Sequence, residues 1–112
     1  MAEHILHHDD TGPARLELLG DFGIGDMPGL RQAFLDALAA SPQGLRLDLG
    51  RVGACGMLFF QAVYAFGVQA GMDGVPLTLE DAISGDVLRA AQECGIDIND
   101  IKLACVPGKD VR

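Results

Sequence analysis

The stretch 45-LRLDLGRVGACGMLFFQAVYAFGVQAGMDGVPLTLE-80 decides the fold. It opens on Leu45, Leu47 and Leu49 alternating with Arg46 and Asp48, the period of a strand with one buried face. It closes on Leu77 and Leu79 flanking Thr78, a second strand of the same kind. Between them, Val52 to Met72 carry no charge. A helix in that interval makes the order strand, helix, strand, which requires a crossover and parallel pairing.

The charge-free interval is long enough to span a bilayer, but its composition argues against that. Gly53, Gly56, Gly67 and Gly71, with Gln61 and Gln69, dilute its apolar character, and neither a basic cluster nor an aromatic belt marks its ends. It reads instead as a helix from Met57 docked on a sheet. Met57, Phe59, Phe60, Val63, Tyr64, Phe66 and Val68 cover most of its circumference. Leu58, Gln61, Ala62, Ala65 and Gln69 are left as a narrow outward arc.

Working upstream, Leu30, Ala33, Phe34, Ala37 and Leu38 form one apolar helical stripe. Asp26 and Pro28 mark its start, and Ser41, Pro42 and Gly44 its end. Before it, EHILHH and ARLELL read as two strands joined by the turn DDTGP, a hairpin. Downstream, Ser84 caps a helix GDVLRAAQEC that stops at Gly95, and DINDIKLACV is a last short helix or strand. The fold class expected is α/β: a small mixed sheet of about four strands with helices packed mainly on one face.

A chain of 112 residues suits a single domain over residues 1–112. Eight Lys and Arg against 16 Asp and Glu give a net charge of −8, which opposes nucleic acid or anionic lipid as the main ligand. Cys55, Cys94 and Cys105 are too scattered for a disulfide framework or a metal site, and no signal pattern opens the chain. A cytoplasmic setting without membrane insertion is expected.

The order of elements and the residues GDFG at 20–23, LRLDLGRV at 45–52, GMLFF at 56–60 and VPLTLEDA followed by ISGDVLRAAQECGID resemble STAS domains, the anti-sigma factor antagonists. The resemblance runs through nearly the whole chain. It implies a non-catalytic protein-interaction domain in bacterial signalling or transcription regulation. It also implies a switch: a serine opening the second helix, in Asp-Ser-Ser-Gly, is phosphorylated by a partner kinase, and the added charge and bulk break the contact.

Carried over residue by residue, that serine becomes Met57, the acidic residue before it Gly56, and the Asp of Gly-Glu-Leu-Asp becomes Gly23. A second register makes Gly53-Ala54-Cys55 the Asp-Ser-Ser equivalents, and Ala54 accepts no phosphate either. Under both, the phosphoacceptor is missing. The expected partner-binding residues are therefore an apolar rim of Gly56, Met57 and Leu58, the outward strip at Gln61 and Ala65, and Asp21, Phe22 and Gly23 in the neighbouring loop.

The resemblance offers an anti-sigma-type serine kinase, a histidine kinase or an ABC ATPase as partner, the last if the chain is the STAS subunit of a phospholipid-transporting ABC system. A homodimer stays open.

No residue pattern assembles an enzyme, a cofactor site or a metal site. His4, His7 and His8 lack a supporting ligand motif, and His7 and His8 point to opposite faces of a strand. GDFGIG lacks the order of a phosphate-binding loop, and Asp97, Asn99 and Asp100 lack the glycine and distal Glu of a calcium loop. These acidic residues read as caps and turn residues. A small-ligand or redox sensor at Cys55 would require a thiol activated by the helix amino end. A buried, inert cysteine is the favoured reading.

Overall fold

The structure is a computed structural model that describes residues 2–8 and 12–105, with the backbone alone for residues 102–105. Four strands, β1 (Glu3–His7), β2 (Ala14–Gly20), β3 (Leu45–Val52) and β4 (Leu77–Leu79), form one sheet in the order β1-β2-β3-β4. The first pair is antiparallel and the other two are parallel. The helices are α1 (Met27–Ala40), α2 (Met57–Asp73), α3 (Gly85–Glu93) and α4 (Ile98–Cys105). The expected mixed sheet, hairpin and crossover are all present, and DINDIKLACV resolves as a helix. Asp9 to Thr11 of the expected turn, Val106 and the Cys105 side chain lie outside the described residues.

Register explains the core. Leu6, Leu16, Leu47 and Leu79 lie across from one another in successive strands, as do Ala14, Leu45 and Leu77. On that face they join Phe34, Leu38, Phe59, Phe60, Val63, Phe66, Val87 and Ile101, drawn from all four helices, in one apolar cluster. The Phe34 and Phe66 rings stack with centroids 3.9 Å apart, which locks α1 against α2.

The other face of the sheet is charged and tied by ion pairs. Arg15 Nη1 donates to Asp48 Oδ2 at 2.6 Å, and Arg46 pairs with Glu80 at 3.1 Å. Glu17, largely buried, is held between His7 at 3.0 Å and Arg51 at 3.6 Å. His7 thus serves a structural pair.

A β-bulge alters the simple alternation. Glu17 pairs with Asp48 but Leu19 pairs with Arg51, so β3 carries one extra residue near Gly50. The bulge reverses the phase of the strand. Val52 therefore enters the core while Arg51 joins the charged face.

Helix ends follow local chemistry. Ser84 Oγ accepts from Val87 N–H at 3.1 Å and donates to the Val52 carbonyl at 2.7 Å, capping α3 and tying it to β3. Gly74 and Gly95, both at φ 72°, stop α2 and α3 in the left-handed conformation that glycine tolerates. The Asp97 carboxylate accepts from Asn99 N–H at the start of α4, the capping role read for that cluster.

Candidate functional site

The rim lies at the carboxyl ends of the parallel strands β2 and β3, where open α/β sheets place their binding crevices. Two loops meet there. Gly20, at φ 87°, turns the chain out of β2 into a 3-10 turn at Ile24–Asp26, and residues 53–56 lead from β3 into α2.

Three hydrogen bonds join these loops. Gly53 N–H donates to the Gly20 carbonyl, Phe22 N–H to the Ala54 carbonyl, and Ala54 N–H to Asp21 Oδ1, each at 2.8 Å. A side chain at position 53 would collide with that carboxylate oxygen. Gly53 is thus the residue that lets Asp21 reach across. The Asp26 carboxylate in turn accepts from Gly23 N–H at 2.8 Å, closing the turn.

Upon this base stands the start of α2. Gly56 is the N-cap and offers no side-chain cap, and the first turn holds no acidic residue. Met57 and Leu58 are each 43% exposed, and Ile24 on the adjoining loop is 77% exposed. Gln61 and Ala65 follow on the solvent side of the helix. Gly56, Met57, Leu58, Gln61, Ala65, Asp21 and Gly23 therefore do come together in one accessible neighbourhood.

Phe22 does not belong with them. It is 6% exposed, its ring 5.3 Å from that of Phe59, and it anchors the loop in the core rather than presenting it.

The exposed side of α2 also differs in phase from the expected arc. Ala62 is buried and Gln69 half-buried, whereas Tyr64, Val68 and Met72 are exposed. The result is an uncharged solvent face from Met57 to Met72. Grooves flank it on both sides. One lies against α1, lined by Arg31, Leu35, Leu38 and Ala65, and the other against the turn into α4, lined by Tyr64, Ile96, Asp97 and Asp100. Tyr64 and Val68 were missed because α2, uncharged from Met57 to Met72, has no charged residue to mark its solvent side.

Cys55 is half-buried beside this rim. Burial, and secondarily Cys94 and Asp86, push its thiol from 9.0 up to about 11. The helix amino end does not overcome this. The raised pKa disfavours the thiolate that the redox-sensor reading requires. Among the described residues, no group of three His, Cys, Asp or Glu is arranged to hold a metal ion, and no helix is long and apolar enough to cross a membrane.

No family model and no curated protein matches the chain. The structure does match the crystal structure of an anti-sigma factor antagonist from Mycobacterium paratuberculosis, with a TM-score of 0.67 over 88% of this chain and 82% of that one, at 21% identity. The fold is STAS-like. The small mixed sheet of about four strands with helices, expected from the sequence, agrees with that match. At the start of α2 this chain presents an uncapped, uncharged turn with Met57 exposed.

Proposed function

We propose that this chain is a non-catalytic adaptor of the STAS type that docks a partner protein through the start of α2, independently of serine phosphorylation. One observation carries the reading: the exposed face of α2, from Met57 to Met72, is uncharged and largely apolar at its start. A contiguous apolar surface on a small protein marks contact with another molecule, and methionine adapts to a partner's shape.

The docking residues are Gly56, Met57, Leu58, Gln61 and Ala65, with Ile24, Asp21 and Gly23 on the adjoining loop. Where the resemblance places a serine, a methionine offers no oxygen to a kinase, so the contact is constitutive. A protein partner is favoured by the net charge of −8, which repels nucleic acid and anionic lipid, and by the anti-sigma factor antagonist that shares the fold. An anti-sigma-type serine kinase, a histidine kinase or an ABC ATPase fits this role, in the cytoplasm where such partners work.

The test is to isolate the partner from the native cell extract, then titrate it with this chain in the presence and absence of ATP and Mg²⁺. Unchanged affinity and no phosphate on residues 53–58 are expected. Loss of binding with ATP, accompanied by phosphate on this chain, would contradict the reading.

A further inference from the structure

We propose that the chain self-associates through β1, which pairs antiparallel with β1 of a second copy and joins two four-stranded sheets into one continuous sheet. The first residues of β1 adjoin the Phe22–Asp26 loop, but the pairing edge of β1 is not the start of α2, so the proposal stands whether or not the docking reading does.

β1 is the open edge. It has β2 on one side and no strand on the other among the described residues. The opposite edge is less suited, since β4 spans only Leu77–Leu79 and α4 packs against it. Unpaired backbone groups along an edge of five residues are a template for another strand, and β1 lacks the proline or bulge that would block one.

The sequence of β1 suits itself in one register. A twofold axis normal to the sheet keeps each face on its own side, so it must pass through a residue. Centred on Ile5, it sets Ile5 against Ile5, Glu3 against His7, and His4 against Leu6. Carboxylate meets imidazole twice, and the exposed Ile5 is covered by its own copy. Centred on Leu6, it sets His4 against His8 and Ile5 against His7; centred on His4, it sets Glu3 against Ile5. Neither offers a charge pair. His7 already has Nε2 on Glu17 Oε1 at 3.0 Å; with both ring nitrogens protonated, Nδ1–H donates to the Glu3 carboxylate of the second copy.

Sedimentation velocity of the full chain over a concentration series tests this, alongside Ile5→Lys, which sets two ammonium groups against each other. Wild type is expected to dimerise, and Ile5→Lys to weaken the dimer at least tenfold with an unchanged circular dichroism spectrum. Register is tested by oxidative cross-linking of Glu3→Cys and His7→Cys chains, with the linked peptides mapped by mass spectrometry. Residues 3 and 7 are expected to link when the two chains are mixed. A wild type that stays monomeric throughout, or a dimer whose links map elsewhere, overturns the proposal.

Discussion

The Asp21 carboxylate occupies the space that a side chain on residue 53 would need, and from there it accepts the Ala54 N–H. The two loops of the rim are thus held together by an acid on one and the lack of a side chain on the other. Gly53→Ala and Asp21→Ala should each cost about 1 kcal/mol, the usual net value of one hydrogen bond. Because both remove the same bond, the double variant should cost about as much as either alone. Urea denaturation of the four proteins measures the cycle; full additivity would contradict this geometry.

Phe22 and Met57 lie near each other in the fold but do different work. Phe22→Ala leaves a cavity beside Phe59 and should destabilise the protein by about 3–5 kcal/mol. Met57→Ala removes a half-exposed side chain and should cost well under that, while weakening partner binding. Thermal unfolding separates the two. Similar losses would mean that Met57 is a core residue.

Much of this arrangement could be read from the residues. The stripe Leu30 to Leu38 placed α1, Ser84 placed the start of α3, and two alternating leucine runs around an uncharged segment placed the parallel crossover. The phase of α2 could not be read, because a helix uncharged from Met57 to Met72 signals no solvent side, and packing against α1, α4 and the sheet sets its rotation. The bulge near Gly50 was equally invisible: it depends on the register against Leu19, a residue distant in the chain. Phe22 misled because a loop position suggested exposure, while its ring turns inward onto Phe59.

Gly56 lies in extended backbone with open space around the position of a Cβ. Gly56→Asp should therefore fit, cap α2 and favour its positive end, raising stability by a few tenths of a kcal/mol. The same charge set beside Met57 should weaken docking. Calorimetry and a binding titration on one variant check both; a Gly56→Asp protein that gains stability and keeps full affinity would place the contact elsewhere.

Cys55 holds its proton more firmly when folded, because burial raises its pKa from 9.0 to about 11. The unfolded chain loses that proton first. The associated stability is therefore complete below about pH 9 and is lost as the pH rises toward 11. Only the thiolate reacts, so alkylation of Cys55 near neutral pH should be about 100-fold slower in the folded than in the unfolded chain. Quenched iodoacetamide labelling read by mass spectrometry gives the ratio; equal rates would show that burial does not raise the pKa, and faster labelling of the folded chain would show an activated thiol and revive the sensor.

Ser84→Ala removes both the α3 cap and the bond to the Val52 carbonyl and should cost about 1–2 kcal/mol. Hydrogen exchange should rise first in the opening turn of α3. Unchanged protection there would mean that the cap contributes nothing.

The most direct test of the central claim is the affinity of the isolated partner for wild type, Met57→Asp and Thr78→Asp, the last an exposed site on the uncovered sheet face. The account predicts that Met57→Asp binds at least tenfold more weakly, about 1.4 kcal/mol or more, while Thr78→Asp binds like wild type and all three remain folded. Equal affinity of Met57→Asp and wild type would contradict it and move the docking surface away from the start of α2.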